Sequence, residues 1–309
     1  MNYGINIGIV GAGLGGMTAA VALQQRGFHN VTVFEQASQL GEIGAGITVG
    51  PNITLILAGL GLEDAAESFA SATTTFGTNH YQTGERILFT ERSIEQALAT
   101  QGAVVRHLHR ADLHKVLENA FNTEGNALRL NHTLKHIEQD AVDQEDGGVS
   151  LHFTNGATER CDVVIACDGL KSVVRDTLFD TQPPTFTGFL TWRGLVEADD
   201  VPGLDVVPHF AGYPSEGRMF ARYPLRRFRQ INWVANAYQP DATGEESWND
   251  WTDVSEVLEH MGDYHPEVQR IIKASPGGRC LRWALHSRQP LDSWTAGRVV
   301  LLGDAAHPM

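Results

Sequence analysis

The sequence predicts an α/β protein in which a parallel, Rossmann-like sheet is combined with a second, mostly antiparallel sheet. Three observations carry this prediction. The first 35 residues contain a strand, a glycine-rich turn, a helix and a second strand in close succession. A later buried strand is followed by Asp168-Gly169 and a helix, which repeats the alternation of strand and helix. Between residues 179 and 292, several β-prone runs are separated by glycine and proline.

Length and composition allow one large domain or two interleaved ones. The chain has 309 residues, of which 42% are hydrophobic and 19% are charged, so that it can bury a sizeable core. The formal net charge is -14. This charge argues against a nucleic-acid groove or a polybasic membrane patch, because both require clustered Lys and Arg.

The N-terminus and the cysteines indicate a compartment. No basic region precedes a long apolar run, so we expect no signal peptide, and no run of about 18 apolar residues predicts a membrane span. Cys161, Cys167 and Cys280 form no C-x-x-C motif and are expected to be small buried side chains in a reducing environment. The sequence therefore predicts a cytoplasmic protein.

Residues 5–35 follow the order of a nucleotide-binding βαβ unit. The parts are a buried strand, a G-x-G-x-x-G turn, a helix, a second strand and an acid: Ile5–Val10, Gly11, Gly13 and Gly16, Met17–Arg26, Val31–Phe34, and Glu35. The glycines permit a tight turn, the approach of a pyrophosphate, and close packing of helix on strand. The helix N-terminus favours phosphate through its N–H groups and its dipole.

Glu35 completes this pattern, because an acid at the end of the second strand can accept hydrogen bonds from a ribose diol. The same acid disfavours a 2′-phosphate, so NADP is not expected at this site. The combination predicts a dinucleotide site, and the motif alone leaves NAD and FAD open.

Two later segments add candidate contacts. Leu40–Asn52 is rich in glycine, with Gly44, Gly46 and Gly50 evenly spaced. This segment is either a flexible loop or a backbone that lies against a flat ligand. Arg110 precedes an amphipathic helix, and its planar guanidinium can reach a phosphate there.

Three histidines around that arginine, His107, His109 and His114, raise the question of a metal site. No carboxylate or cysteine completes a known ligand spacing with them. The sequence therefore predicts no metal site.

Taken together, the motifs resemble the class A FAD-dependent aromatic monooxygenases. The matching features are the three glycines, Glu35, Arg110, the stretch from Asp168-Gly169 through Ser172 to Arg175, and Gly303-Asp304. Within that family, the runs EIGAGITVGPN, TWRG and GDAAHPM most resemble the salicylate hydroxylase-like branch. This branch includes 3-hydroxybenzoate 6-hydroxylase and 6-hydroxynicotinate 3-monooxygenase.

The resemblance implies a glutathione reductase-type FAD-binding domain, with NADH or NADPH as a transient reductant. It places Asp168 near the junction of FAD and the nicotinamide, and Asp304 at the ribityl chain. The full set of implied cofactor-binding residues is Gly11, Gly13, Leu14, Gly16, Glu35, Gly46, Ile47, Arg110, Asp168, Gly169, Arg175, Gly303, Asp304 and Pro308.

The resemblance also implies hydroxylation of a small phenolic acid by O₂ through a flavin C4a-hydroperoxide. Because that oxidant is a mild electrophile and a neutral phenol is a poor nucleophile, we expect a base that removes the phenolic proton. His209 is the predicted base, and Tyr213 is its relay or a hydrogen-bond partner of the substrate. Arg193 and Arg222 are candidates to bind a ring carboxylate, although Arg193 could instead be structural.

Two positions depart from the family pattern. Thr48 stands where the nicotinate-acting relatives use His, which counts against a hydroxypyridine substrate. Ser287 stands where the family more often has Asp, directly before Arg288, which removes the expected local ion partner.

The predicted domains are interleaved along the chain. The FAD-binding domain takes residues 1–75, 101–178 and 293–309, and the α+β substrate domain takes residues 76–100 and 179–292. In the substrate domain, Trp248, Trp251, Val254 and Leu258 predict a buried stripe.

Two other interpretations stay open. One is a flavin epoxidase or reductase for an isoprenoid or polycyclic substrate, with Phe76, Phe186 and Phe189 lining a wider pocket. The other is a non-catalytic fragment, because the family has a further segment after Gly303-Asp304 and the chain is expected to be C-terminally truncated. A homodimer is also possible by resemblance.

Overall fold

The computed structural model describes residues 3–41, 46–121, 123–141, 143–144, 146–179, 182–242 and 250–308. Gly44 and Trp248 lie outside these ranges. The chain forms two compact units. Unit 1 consists of Met1–Gly41, His114–Thr185 and His286–Met309, and unit 2 consists of Glu42–Leu113 and Phe186–Leu285.

The strands in the described ranges are β1 (Ile7–Val10), β2 (Val31–Phe34), β3 (Gly46–Val49), β4 (Ser71–Ala72), β5 (Thr75–Asn79), β6 (Arg86–Glu91), β7 (Arg106–His109), β8 (Ala127–Arg129), β9 (Leu134–Gln139), β10 (Val149–Phe153), β11 (Thr158–Cys161), β12 (Val163–Ala166), β13 (Thr185–Glu197), β14 (Phe210–Ser215), β15 (Arg218–Leu225), β16 (Gln230–Tyr238), β17 (Trp251–Asp253), β18 (Arg279–Ser287), β19 (Thr295–Ala296) and β20 (Val299–Leu301). The α-helices there are α1 (Leu14–Gln25), α2 (Pro51–Gly59), α3 (Glu63–Glu67), α4 (Ile94–Gln101), α5 (Arg110–Ala120), α6 (Val173–Leu178), α7 (Val254–Met261) and α8 (Pro266–Lys273). No helix in the described ranges is long and apolar enough to cross a membrane.

Unit 1 is built on a six-stranded sheet in the order β19-β20-β12-β1-β2-β8. Its central pairs are parallel, and only the edge pair β19–β20 is antiparallel in the part of the chain that the structure describes. All four residues of β1 are buried, as expected for the centre of a parallel sheet. Strands β1, β2 and β12 run in register, so the segments that follow them, at Gly11, Glu35 and Asp168, leave the same edge of the sheet.

A second, antiparallel sheet of unit 1 has the order β11-β10-β9. Its alternating buried residues, Val149, Leu151 and Phe153 of β10, join the core of the parallel sheet. Alternation with a period of two places these side chains on one face of the strand.

Unit 2 is built on an eight-stranded sheet in the order β17-β18-β13-β16-β15-β14-β5-β6. The pair β5–β14 is parallel, and the pairs β13–β16, β15–β16, β14–β15, β17–β18 and β5–β6 are antiparallel. A smaller antiparallel sheet has the order β3-β7-β4. The mostly antiparallel sheet that the sequence predicts is confirmed.

Helices α7 and α8 cover one face of the large sheet. Val268, Ile271 and Ile272 of α8 are buried at the spacing of one helical face and pack with Trp192 and Trp233 of the sheet. We call this side of the sheet the core face.

Two details differ from the sequence-based expectations. Trp251 is 48% exposed on the short strand β17, so it does not belong to the buried stripe that Val254 begins. The reason is that β17 ends before the helical period starts at Val254. The compact units group 42–75 and 101–113 with the antiparallel sheet, whereas the predicted boundaries assign them to the FAD-binding domain, and those boundaries stay a prediction.

Candidate active site

The glycine-rich turn after β1 is packed too tightly for side chains at two of its positions. Gly11 has φ +98°, and a Cβ there would lie 2.3 Å from the carbonyl oxygen of Cys167. A Cβ at Gly16 would lie 2.0 Å from the carbonyl oxygen of Gly11. At Gly13, by contrast, no atom of the described residues lies within 4 Å of the position of a Cβ. Gly11 and Gly16 therefore serve packing, and Gly13 leaves an open cradle of backbone.

The N-terminus of α1 is prepared for an anion. Gly13 is its N-cap, and no side chain of the described residues caps the helix there. The neighbouring Ala12 is already engaged, because its N–H donates to Glu35 Oε2 at 2.8 Å and its carbonyl lies 2.6 Å from His114 Nε2. The first N–H groups of a helix point outward from its N-terminus, and beside an open glycine they fit a pyrophosphate.

Replacing Gly13 separates cofactor binding from folding. We expect Gly13→Ala to cost about 1 kcal/mol of stability, the usual loss at an N-cap, while the FAD retained after desalting falls at least tenfold. Gly16→Ala is the matched comparison, because its Cβ meets backbone and should lower the unfolding temperature and FAD retention together. Visible absorption and thermal unfolding measure the two quantities. If Gly13→Ala retains as much FAD as wild type, the backbone at Gly13 does not bind the pyrophosphate.

Asp168 follows β12 beside this turn. One carboxylate oxygen accepts the Ser172 hydroxyl at 2.6 Å, and the other accepts the Val174 N–H at 3.2 Å. Burial raises the pKa of Asp168, and these hydrogen bonds oppose the rise. Gly169 has φ +79° and allows the turn into α6, whose N-cap is Ser172. Asp168 thus holds the start of α6 in place.

Arg175 is fully buried within unit 1 and acts through the backbone. Its Nη1 donates to the carbonyl oxygens of Ala305 and Ala306, at 3.3 and 3.1 Å, and its Nη2 donates to that of Gln289. The 3₁₀ turn Gly303–Ala305 carries Asp304, which is exposed, and Pro308 follows two residues after Ala306. These contacts favour Arg175 as a support of the turn over a direct contact to the cofactor.

Unit 2 holds the predicted contacts Gly46, Ile47 and Arg110. The N–H of Gly46 donates to Asn232 Oδ1 at 2.8 Å, and its carbonyl accepts the Tyr223 hydroxyl at 2.9 Å. A Cβ at Gly46 would lie 2.7 Å from the Tyr223 ring, so only glycine fits. Ile47 follows on β3, and Arg110 is the first residue of α5.

The large sheet of unit 2 places three of the four predicted substrate residues on two different faces. Tyr213 packs in the core-face cluster with Trp192, and Arg222 reaches Glu267 of α8. Arg193 is adjacent to Trp192 in β13 and therefore points to the opposite side of the sheet. We call that side the open face.

On the core face, Tyr213 and Arg222 share one carboxylate. The Tyr213 hydroxyl donates to Glu267 Oε1 at 2.9 Å, and Arg222 Nε donates to the same atom at 3.1 Å. Arg222 Nη1 also donates to the Pro208 carbonyl at 3.0 Å, and Nη2 donates to that of Asp205. Burial raises the pKa of Tyr213, and the charge of Glu267 raises it further. This network gives both residues structural partners, and the relay through Tyr213 stays a prediction.

On the open face, Arg193 lies over the Trp283 ring, 5.0 Å from its centroid. Burial lowers the pKa of Arg193, the charge of Tyr223 would raise it, and that of Arg110 lowers it. Among the described residues, its Nε is buried without a hydrogen-bond partner. A desolvated cation of this kind fits an anionic ligand.

His209 lies just before β14 and is half-buried. Its backbone N–H donates to Thr75 Oγ1 at 2.8 Å, and its Nδ1 accepts the backbone N–H of Thr74 at 3.2 Å. The ring of Phe228 packs edge-on at 4.9 Å. Burial lowers the pKa of His209, and the positive charge of Arg222 lowers it further. The imidazole is therefore neutral at neutral pH.

His107 is a second imidazole near His209. It is fully buried, stacks on Tyr223 at 4.3 Å, and its Nδ1 lies 2.7 Å from Thr73 Oγ1. Burial lowers its pKa to about 3, with a smaller contribution from His209. His109 instead accepts the Ala111 N–H at its Nδ1. No three metal-binding side chains come together in the ranges that the structure describes.

Sequence reasoning missed several of these partners. Thr73, Thr74 and Thr75 read as ordinary β-prone residues, although each contacts one of the two histidines. The contact between Glu267 and Tyr213 could not be predicted from local sequence patterns, because the two residues lie 54 positions apart in the chain. Arg288 finds its carboxylate in Asp176, so the Ser287 departure does not leave the arginine without an ion partner.

Comparison with known proteins identifies the family. The sequence model of the family described as FAD binding domain matches residues 5–309. The 6-hydroxynicotinate 3-monooxygenase of Pseudomonas fluorescens is 34% identical, over 100% of this chain and 78% of that protein. The 3-hydroxybenzoate 6-hydroxylase of Klebsiella oxytoca is 32% identical, over 97% of this chain and 73% of that protein.

A solved structure supports the same assignment. A variant of HpxO from Klebsiella pneumoniae, complexed with FAD, superposes with a TM-score of 0.83 at 25% identity, over 98% of this chain and 74% of that chain. The open backbone around Gly13 fits FAD, the cofactor bound in the HpxO structure. The chain therefore belongs to the FAD binding domain family, and it is a flavin-dependent monooxygenase of the aromatic hydroxylase type.

Proposed function

We propose that the protein hydroxylates a small aromatic acid that carries a ring hydroxyl, using FAD, O₂ and NADH or NADPH. The observation that carries this proposal is that unit 2 contains both a desolvated cation, Arg193, and an imidazole with a lowered pKa, His209. The guanidinium of Arg193 can bind a substrate carboxylate, and the imidazole of His209 can accept the proton of a phenolic hydroxyl.

The cofactor contacts in unit 1 have distinct roles in this proposal. The N–H groups at Gly13 and Leu14 bind the pyrophosphate, and Glu35, fixed by the N–H groups of Ala12 and Ala37, binds the ribose. Asp304 is exposed for the ribityl chain. The bound FAD, once reduced, supplies the oxygen-transferring chemistry.

Arg193 is the proposed carboxylate ligand. Its guanidinium can form two parallel hydrogen bonds to a carboxylate, and because it is buried, an anionic partner stabilises its charge. Arg222, the second sequence-based candidate, is 2% exposed and donates from all three nitrogens within its own network. We therefore assign the substrate acid to Arg193 and a supporting role to Arg222.

His209 is the proposed proton acceptor. A general base must be unprotonated at the working pH, and its lowered pKa meets this condition. Removing the ring proton of a phenol raises the electron density of the carbon that is attacked. His209 then holds the proton until product leaves.

Two further observations support a phenolic acid. The names of both curated relatives describe rings that carry an acid group, a hydroxynicotinate and a hydroxybenzoate. Thr48 lies on β3 opposite His107 and offers no imidazole to a ring nitrogen. Phe186, a candidate wall for a wider polycyclic pocket, packs against the core-face cluster instead.

The test uses purified chain reconstituted with FAD and a panel of hydroxybenzoates. We expect phenolic acids to stimulate NAD(P)H oxidation, and phenols without a carboxylate to do so much less. In His209→Gln, stimulated oxidation should persist while the hydroxylated product falls at least a hundredfold and hydrogen peroxide appears in its place, since the base contributes about 10²–10⁴-fold.

Each contrary result points to a different conclusion. Wild-type product yield in His209→Gln excludes His209 as the base. A panel that never stimulates NAD(P)H oxidation, with FAD bound, favours the epoxidase or reductase alternative. A chain that retains no FAD supports a non-catalytic fragment. A homodimer and a cytoplasmic location stay predictions.

A further inference from the structure

The three consecutive threonines Thr73–Thr75 contact both His107 and His209. Thr73 contacts His107, Thr74 contacts the His209 ring, and Thr75 accepts the His209 backbone N–H. The backbone of Thr74 is fixed on its other side too, because its carbonyl accepts the Arg92 N–H at 2.9 Å. The orientation of the His209 ring is therefore set by this segment.

The contact to Thr74 also sets the tautomer of His209. A backbone N–H can only donate, so Nδ1 must keep its lone pair while it accepts from Thr74 at 3.2 Å. In the neutral ring, the proton then lies on Nε2. An Nε2–H group donates a hydrogen bond and cannot take a proton from a phenol.

The Thr74 hydroxyl can accept a hydrogen bond from the other tautomer of the ring, in which the proton lies on Nδ1. Its Oγ1 lies 3.4 Å from the same Nδ1. If the ring proton moves to Nδ1 and the ring turns Nδ1 away from the Thr74 N–H toward Oγ1, that oxygen can accept the proton, and Nε2 becomes free to take the proton of the substrate. The ring of Phe228, which packs edge-on against His209, carries no acceptor atom.

We propose that Thr74 is a positioning residue for His209, whose hydroxyl accepts Nδ1–H and so allows Nε2 to act as the base. The proposal rests on the proposed function. During the step, the phenolic O–H bond breaks, the proton forms a bond to Nε2, and the phenolate keeps the electron pair. The resulting imidazolium keeps its Nδ1–H on Thr74 Oγ1.

The charged surroundings do not provide this acceptor. Arg222, on β15, is a cation and disfavours the protonated ring. His107, on β7, is buried and neutral. The carboxylate of Glu267, on α8, is engaged by Arg222 and Tyr213. Thr74 is therefore the group among these neighbours whose hydroxyl lies within reach of Nδ1.

The experiment compares Thr74→Val with Thr74→Ser in the FAD-loaded chain. Valine keeps the shape and the backbone N–H but removes the acceptor, and serine retains it. The probe is a nitro-substituted hydroxybenzoate, whose ionised form absorbs visible light. We expect the ratio of ionised to neutral bound probe to fall roughly 10- to 100-fold in Thr74→Val, as for a buried donor without an acceptor, and less than about threefold in Thr74→Ser.

A second measurement needs no ligand. In ¹⁵N-histidine NMR spectra, the pKa of His209 should fall by about one unit or more in Thr74→Val, because the imidazolium loses its acceptor. An unchanged pKa and an unchanged probe ratio in Thr74→Val overturn the inference. His209→Gln separates the two proposals: if it leaves the probe as ionised as in wild type, the proposed base is wrong, whatever Thr74 does.

Discussion

Arg175→Met is expected to lower the free energy of unfolding by about 3–5 kcal/mol and to release FAD. The substitution removes a buried charged donor from the carbonyls of Ala305, Ala306 and Gln289. Hydrogen bonds from charged groups contribute about 1.5–3 kcal/mol each, and a buried carbonyl without a donor costs about 1–3 kcal/mol. The turn that carries Asp304 then loses its support, and the cofactor should dissociate more readily. Urea unfolding and flavin retention after gel filtration measure the two effects.

Arg175→Lys is the matched control. It keeps the charge but replaces a planar fork by one ammonium group, so it should recover part of the stability. The prediction fails if Arg175→Met unfolds at the wild-type urea concentration. A variant of wild-type stability that loses FAD would instead restore the sequence-based assignment of Arg175 as a direct contact to the cofactor.

Arg222→Met is expected to destabilise unit 2 by about 3–5 kcal/mol. The loss follows because Glu267, only 17% exposed at its side chain, stays buried without its cation. The carbonyls of Pro208 and Asp205 lose donors as well. Since a nearby positive charge disfavours the imidazolium, the pKa of His209 should rise in the same variant. Urea midpoints and ¹⁵N-histidine titration measure the two changes.

The double substitution Arg222→Met and Glu267→Met tests the cause. Removing both charges together leaves no buried ion, so most of the stability should return. If the double variant is as unstable as Arg222→Met, the loss comes from the carbonyls of Pro208 and Asp205 rather than from the ion pair. If neither variant is destabilised, the core-face network contributes nothing to folding.

Local sequence patterns predicted the scaffold of unit 1 well. Val31–Phe34 and Val163–Ala166 are strands with the predicted bounds, Gly11 and Gly13 lie between β1 and α1, and Gly16 lies in the first turn of α1. These features are local, because a buried strand, a tight turn and a helix each leave a pattern within a few residues. The family resemblance extended this reading to FAD and to aromatic hydroxylation, and the comparisons confirm both.

The side-chain network of unit 2 could not be predicted in the same way. His209 is 135 residues from Thr74, and Tyr213 is 54 residues from Glu267. Which face of a strand a residue takes depends on the register of its neighbours, and a shift of one residue exchanges the faces. Spacing alone therefore could not show that Arg222 and Tyr213 belong to the core face and Arg193 to the open face.

The interleaving of the two units has a consequence for the order in which the chain can fold during synthesis. The segments of unit 2 are complete once Leu285 has been made, whereas unit 1 still lacks β20, which pairs with β12 in its parallel sheet. The first strand, β1, is therefore made about 290 residues before β20, the last strand described in its sheet. Such non-local parallel pairing forms slowly and leaves an apolar strand edge exposed meanwhile. A ribosome-bound chain is accordingly expected to gain protease resistance first in the segments of unit 2, residues 46–113 and 186–285.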